Sequence, residues 1–143
     1  MRPLERSLPM ALLRARESIM AFFRPLLNEI GLTEQQWRII RVLHEQDDLE
    51  FHELARLACI LPPSLTGMLT RLERKRLLRR RKVASDQRRL HVALTREGAA
   101  HFADMSRRME QAYLSIECQF GRQRVAELFA LLQKAQALQA PPK

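Results

Sequence analysis

The spacing of apolar residues changes along the chain, and this change limits the folds that the chain can adopt. Over residues 8–30 they recur at steps of three and four, which is typical of an amphipathic helix. The same spacing continues almost everywhere else, but Leu90, Val92 and Leu94 alternate with polar residues, as in a half-buried strand. The sequence therefore predicts a mainly α fold with one β-hairpin, whose strands are 78–84 and 89–95 and whose turn is "SDQR".

Proline, glycine and capping residues predict where the helices begin and end. Pro25 should kink or divide the first long helix, and Gly31 should stop it. Thr33 begins a second helix with the capping-box spacing. The prolines of "ILPPS" separate the helical segments "FHELARLAC" and "SLTGMLTRLERKRLL". Thr95 is expected to cap a long final helix that Gly121 interrupts.

Positive charge is concentrated in one segment. Residues 74–91 hold nine of the 25 Lys and Arg residues and one of the 16 acids, so the rest of the chain carries 16 basic and 15 acidic groups. A nearly neutral body with one basic segment indicates a local site for a polyanion. Nucleic acid is the commonest such partner, and an anionic membrane surface is the alternative.

Two short helices, a proline-bounded turn and a basic hairpin together predict a winged helix-turn-helix. In such a unit the second helix enters the major groove of double-stranded DNA. Its outward positions carry small, hydroxyl-bearing or basic residues suited to phosphates and base edges. The candidate contacts on this helix are Pro63, Ser64, Thr66, Gly67, Thr70, Arg71 and Arg74. Those on the hairpin that attract phosphate are Arg80, Arg81, Lys82 and Arg89.

Four segments carry a resemblance to a known family. "LTEQQWRIIRVL", "ELARLACILPPSLTGMLTRLERKRLLRR", "SDQRRLHVALTREG" and the flanking long helices resemble the MarR family of bacterial transcription regulators over about residues 8 to 138. The Asp-x-Arg before an alternating strand that ends in Leu-Thr is the most specific element. Arg76 departs from the family, which usually has glycine there.

The resemblance implies a homodimer that binds a pseudo-palindromic operator. Residues 1–32 and 96–143 would supply the dimerisation helices, and residues 33–95 the DNA-binding lobe. The apolar stripes on residues 8–30 and 99–138 agree, because they exceed what a small DNA-binding lobe needs for its own core. A monomer that folds these helices into its own bundle is the alternative.

The resemblance also implies a role for the single acid of the basic segment. It places Arg88 at the wing tip, reaching into the minor groove, and Asp86 beside it. A carboxylate two residues away can orient a guanidinium by charge-assisted hydrogen bonds. The alternative is an exposed ion pair of little energetic value.

Members of the family often release DNA when they bind an aromatic acid. Residues 7–43 resemble repressors of aromatic-acid degradation operons, which implies 4-hydroxyphenylacetate or 3,4-dihydroxyphenylacetate (homoprotocatechuate) as the effector. An apolar slot with one arginine suits such a carboxylate. The candidate effector residues, with Arg16 as the first choice for the carboxylate, are Arg16, Met20, Phe23, Trp37, Ile40 and Arg41. Surface ion pairs are the alternative role for these arginines.

Other classes of function have less support in the sequence. We find no phosphate-binding glycine loop, metal-spaced cluster or nucleophile motif, so we expect no enzyme, metal or cofactor. We expect Cys59 and Cys118 to be buried reduced thiols; control by cysteine oxidation, another ligand, or activation instead of repression stays open. Residues 74–91 lack the aromatic residues of RNA-binding modules and the apolar face of a membrane-surface helix. With no signal peptide or membrane span, we expect a cytoplasmic protein.

Overall fold

The structure is a computed structural model that describes the backbone of residues 1–143 and the side chains of residues 1–85 and 89–143. After a short 3-10 turn, the elements are α1 (Leu8–Met20), α2 (Arg24–Glu29), α3 (Glu34–Glu45), β1 (Leu49–Glu50), α4 (Phe51–Ala58), α5 (Pro62–Arg74), β2 (Leu78–Val83), β3 (Asp86–Leu94), α6 (Arg96–Phe120) and α7 (Arg122–Gln136). The predicted fold class, a mainly α winged helix-turn-helix, is confirmed. Among the described residues, no helix is both long enough and apolar enough to cross a bilayer.

The helix boundaries follow the local signals in the sequence. The break between α1 and α2 precedes Pro25, which lies in the first turn of α2. Gly31 follows α2 with a φ of +67°, a left-handed conformation that glycine adopts without strain. Thr33 and Gln36 form the capping box at the start of α3, with both reciprocal hydrogen bonds at 3.1 Å.

The sheet is antiparallel and has the order β1-β3-β2. The hairpin of β2 and β3 is the predicted wing, and the two residues of β1 add a third strand through Leu49, which pairs with Val92. The predicted turn at residues 85–88 is wrong, because only residues 84–85 form the turn and Asp86 already pairs with Val83. An irregularity in the register between Lys82 and Val83 accommodates this shorter turn.

The chain forms two compact units. One consists of residues 1–22 and 109–143, and the other of residues 23–108. The second unit holds most of the hydrophobic core. The side chains there that have no exposed surface are Ile39, Ile40, Leu43, Leu54, Leu65, Leu69, Leu72, Val92 and Met105. The predicted division by role, with dimerisation helices at 1–32 and 96–143 and a DNA-binding lobe at 33–95, stays a prediction.

The prediction of buried thiols is wrong. Both Cys59 and Cys118 are exposed, and neither forms a disulfide bond. Cys59 lies just beyond the last turn of α4 with a φ of 54°, so it does not continue the buried face of that helix. Cys118 lies in the last turn of α6, where the following residues Gln119 and Phe120 are also exposed.

Candidate nucleic-acid interface

Helix α5 presents a polar outer face because its inner face is fully buried. Leu65, Leu69 and Leu72 have no exposed surface and fix the rotation of the helix about its axis. Pro62 and Pro63 form its first turn, where a missing N–H costs nothing. All the predicted contact residues on this helix are exposed except the partly buried Thr70; they are Pro63, Ser64, Thr66, Gly67, Thr70, Arg71 and Arg74.

The C-terminal end of α5 closes in a Schellman motif. The Arg76 N–H donates to the Glu73 carbonyl at 2.9 Å, and the Leu77 N–H donates to the Leu72 carbonyl at 3.0 Å. Arg76 has a φ of 61°, a left-handed conformation that glycine adopts more readily than arginine. The ammonium of Lys75 also donates to the Gly31 carbonyl at 2.7 Å.

Thr95 connects the end of α5 to the start of α6. Its hydroxyl caps α6 by accepting from the Gly98 N–H at 3.0 Å, as predicted from the sequence. The same hydroxyl donates to the Arg76 carbonyl at 2.6 Å. The Thr95 side chain therefore hydrogen-bonds a carbonyl group just after α5, before the wing, and an N–H group in the first turn of α6, after the wing.

Arg80 contacts α5 as well as belonging to the wing. Its guanidinium donates to the two carboxylate oxygens of Glu73 at 3.1 and 3.3 Å, and its backbone N–H donates to the same carboxylate at 3.2 Å. The Arg80 side chain is only 23% exposed. Hydrogen bonds from Arg80 hold the pKa of Glu73 below its usual value. This contact ties β2 to α5, and a direct DNA contact by Arg80 stays a prediction.

Arg81 contacts the loop that follows α3. Its guanidinium forms an ion pair with Asp48, whose pKa this hydrogen bond lowers. The Nδ1 atom of His91, which is the cross-strand partner of Arg81, lies 3.4 Å from the same carboxylate. Asp48 itself has a φ of 55°. Asp48 and Glu73 could not be identified from the sequence, because no local pattern shows which basic residue forms an ion pair with each acid in the fold.

The remaining predicted wing residues are only partly described. Lys82 and Arg89 are exposed. The side chains of Asp86 and Arg88 lie outside the described residues, so the predicted pairing of these two residues stays a prediction. The backbone of both belongs to β3.

The predicted effector residues are divided between the two units. Arg16 and Met20 belong to the first unit, where Arg16 is exposed and Met20 is partly buried. The second unit contains the others, of which Phe23, Trp37 and Ile40 are buried and Arg41 is exposed. Arg41 lies 3.5 Å from Glu45 in a surface ion pair. Their role in effector binding stays a prediction.

Phe102 extends the aromatic surroundings of Trp37. Its ring lies nearly parallel to the Trp37 ring, with the centroids 5.4 Å apart. It also stacks on the His44 ring, with a centroid distance of 3.8 Å. Phe102 is not among the residues predicted from the sequence to form the site. Its place in the apolar repeat of α6 marked it as a packing residue, but its partner on α3 depends on tertiary structure.

Metal-ligating side chains do not cluster in the described part of the chain: no group of three or more His, Cys, Asp or Glu residues there could hold an ion. A cavity of about 440 Å³ is lined by both polar and apolar residues. The residues that line it are His44, Asp47, Arg79, Leu94, Thr95, Arg96 and Ala99. This cavity includes none of the predicted effector residues.

Comparisons with known proteins agree with the winged helix-turn-helix geometry. The model of the MarR family matches residues 32–90. The homoprotocatechuate degradative operon repressor of Escherichia coli is 49% identical over 92% of this chain and 89% of that protein. The crystal structure of the transcriptional regulator PA4135 is 49% identical, with a TM-score of 0.91 over 97% of this chain and all of that one. The structure of NadR in complex with 4-hydroxyphenylacetate is 42% identical, with a TM-score of 0.83 over 91% of this chain and 95% of that one.

Proposed function

Because this chain belongs to the MarR family, we propose that it is a homodimeric, DNA-binding transcriptional repressor that an aromatic acid releases from its operator. The observation that carries the proposal is the outer face of α5. Seven exposed or partly exposed residues without a bulky apolar side chain lie there, while three fully buried leucines hold the opposite face. A helix of this kind can enter a major groove without steric obstruction.

Each part of the interface would contribute differently to DNA binding. Arg71 and Arg74 would contact phosphates or guanine edges, and Ser64 and Thr66 would reach backbone or base oxygens near the start of α5. Arg88 would enter the minor groove beside the wing, oriented by Asp86. These assignments rest on the family resemblance and on exposure.

The dimer is supported by the apolar surface of residues 1–22 and 109–143. Within this unit α1 and α7 contain no buried residue. Large apolar side chains that are at least 44% exposed lie along it, namely Leu8, Leu12, Leu13, Leu114, Phe120, Phe129, Leu131 and Leu138. Because exposed apolar side chains that lie together commonly mark an interface, a second copy of the chain would cover this surface.

The effector we propose is a phenylacetic acid that carries a ring hydroxyl, with 4-hydroxyphenylacetate and 3,4-dihydroxyphenylacetate as the first candidates. Two similar proteins support this choice, since one represses a homoprotocatechuate degradative operon and another was crystallised with 4-hydroxyphenylacetate. Arg16 or Arg41 would bind the carboxylate, and Trp37 would contact the ring. The protein would act in the cytoplasm on genes for the degradation of such acids.

Operator release tests DNA binding and effector class together. A duplex selected from a random library by the protein should bind more tightly than a scrambled duplex of the same composition. Adding 4-hydroxyphenylacetate should release it, whereas 4-hydroxyphenylacetamide, which lacks the charge, should not. The effector must bind the DNA-free dimer more tightly than the DNA-bound dimer to cause release. Equal affinity for the two forms would exclude this mechanism, and equal affinity for the two duplexes would exclude the proposed function.

Single substitutions separate the two sites. Replacing one phosphate-contacting arginine, as in Arg71→Gln, should lower the slope of log K against log salt by about 0.9. Arg41→Gln and Arg16→Gln should leave operator affinity nearly unchanged. Whichever of the two arginines binds the effector carboxylate, its variant should need more effector to release the operator. Normal release by both variants would remove these arginines from the effector site.

A further inference from the structure

We propose that Glu73 and Asp48 are positioning residues for DNA binding, which hold Arg80 and Arg81 so that these arginines orient the wing instead of neutralising phosphates. This inference rests on the proposed function. It concerns two acids that contact arginines of the basic segment 74–91, where each acid reduces the attraction for DNA. The contacts of both acids explain why a DNA-binding surface would contain them.

Glu73 joins two elements that would both contact DNA. It lies on α5 between Arg71 and Arg74, and its carboxylate accepts three hydrogen bonds from Arg80 on β2. Two of these come from the guanidinium and one comes from the backbone, so the contact restrains the strand itself as well as its side chain. A two-pronged guanidinium–carboxylate pair also has a defined geometry. The wing therefore has a fixed attachment beside the helix that enters the groove.

Asp48 provides a second attachment from a different direction. It lies after α3, and it pairs with Arg81, the residue that follows Arg80 on β2. His91 on β3 approaches the other oxygen of this carboxylate at 3.4 Å. Because neighbouring residues of a strand point to opposite faces, Glu73 and Asp48 hold the wing from its two sides.

The pairing changes how the positive charge of the wing acts. An arginine whose charge is already compensated by a carboxylate, and which is only 23% exposed like Arg80, releases few counterions when DNA binds. Its contribution to affinity would come from the orientation of the wing. Orientation matters for a specific operator, which requires helix and wing to fit their grooves at the same time, and it matters little for non-specific DNA.

For Glu73→Gln, the positioning role and the net charge predict opposite changes in operator affinity. The substitution removes a negative charge and should tighten binding to any duplex if charge alone mattered. We expect it instead to weaken binding to the selected operator by about three- to tenfold, while binding to the scrambled duplex is unchanged or tighter. Glu53→Gln is the matched control, because Glu53 also pairs with an arginine in the same unit, but Arg56 is on the same helix α4. This control should not weaken operator binding.

Salt dependence and coupling separate positioning from a general structural role. Arg80→Gln should change the salt slope by much less than the change of about 0.9 expected for a phosphate contact such as Arg71. The double variant Glu73→Gln/Arg80→Gln should bind the operator no more weakly than the weaker single variant, since both remove one contact. Asp48→Asn should repeat the selective loss of operator affinity. Thermal melting of each variant verifies that the compared proteins are folded.

Two results would overturn the proposal while leaving the proposed function intact. The first is that Glu73→Gln and Glu53→Gln change the affinity for both duplexes in the same way. The second is a full loss of about 0.9 in the salt slope for Arg80→Gln, which would make Arg80 a phosphate contact. Failure of the wild-type protein to prefer its selected duplex would instead overturn the proposed function.

Discussion

Gly98 lies so close to the carbonyl group of Leu77 that a Cβ atom at this position would stand 2.0 Å from the carbonyl oxygen. The two residues belong to the start of α6 and to the segment between α5 and β2. No side chain fits between them, so this glycine is required for close approach and not for an unusual backbone conformation. The contact sets the distance between the long helix α6 and the base of the wing.

Gly98→Ala should therefore destabilise the protein by about 2 kcal/mol or more, because backbone atoms must move to relieve the overlap. Gly67→Ala is the matched control. Gly67 also lies within a helix, but a Cβ there meets no atom within 4 Å. That substitution should stabilise the protein by about 0.5–1 kcal/mol through its effect on the helix backbone. Chemical denaturation measures both, and equal effects would contradict the role of the Leu77 contact.

Removing the Thr95 hydroxyl should cost about 1–2 kcal/mol of stability, because it caps α6 and also donates to the Arg76 carbonyl. Thr95→Val keeps the size and branching of the side chain but loses both hydrogen bonds. Thr95→Ser keeps the hydroxyl and should retain most of the stability. Denaturant midpoints compare the three proteins; a Ser variant as unstable as the Val variant would assign the effect to the methyl group.

Arg76→Gly should stabilise the protein by about 1 kcal/mol, since glycine adopts the left-handed conformation at the end of α5 more readily than arginine. Arg71→Gly is a useful control because it removes the same charge from a residue within α5, three positions before its end. Glycine there should destabilise the protein by about 1 kcal/mol. Thermal unfolding should show shifts of opposite sign, and a loss of stability for Arg76→Gly would argue that its side chain has a packing role.

The ion pair of Asp48 predicts a pH dependence of stability. Its pKa in the folded protein lies below the usual value of 3.8. At pH values between the folded and unfolded pKa, the unfolded chain binds a proton that the folded chain does not, so stability rises with pH across this window. The contribution is fully present above the unfolded pKa and is lost as the pH falls through the folded pKa.

Asp48→Asn tests this dependence without disturbing the backbone, since asparagine tolerates the left-handed conformation observed at this position. The wild-type protein should exceed the variant in stability by about 1 kcal/mol or less at neutral pH, because the Asp48 side chain is 36% exposed. The difference should shrink as the pH falls below about 4. A difference that stayed constant down to pH values near 2 would mean that the charge does not cause it.

The proposed dimer surface predicts that a charge at Phe129 disrupts self-association. This side chain is 55% exposed on α7, and burying a carboxylate without a partner would be costly. Phe129→Glu should be mainly monomeric at concentrations where the wild-type protein is dimeric. Gln133→Glu adds the same charge to an exposed polar position of α7 and should remain dimeric. Sedimentation velocity distinguishes these states; a dimeric Phe129→Glu variant would place the interface elsewhere.

Local chemistry was sufficient to predict most of the elements. The capping box at Thr33, the cap at Thr95, the break before Pro25 and the stop at Gly31 each depend on residues within four positions of one another. The inner face of α5 also followed from helical spacing, and with it the outer face proposed to contact DNA. The turn of the wing was placed too late because register in a hairpin depends on cross-strand pairing, and the irregularity after Lys82 has no local signature.

The helix boundaries, the amphipathic faces and the concentration of positive charge between residues 74 and 91 could be predicted from the sequence alone. These properties depend on backbone preferences and on spacing along one element. Three contacts could be seen only in the tertiary structure, because each joins different elements. They are the ion pairs Glu73–Arg80 and Asp48–Arg81 and the close approach of Gly98 to Leu77. A charge run shows how many arginines the hairpin contains, whereas the carboxylates that the fold brings beside Arg80 and Arg81 show which of those charges are already paired.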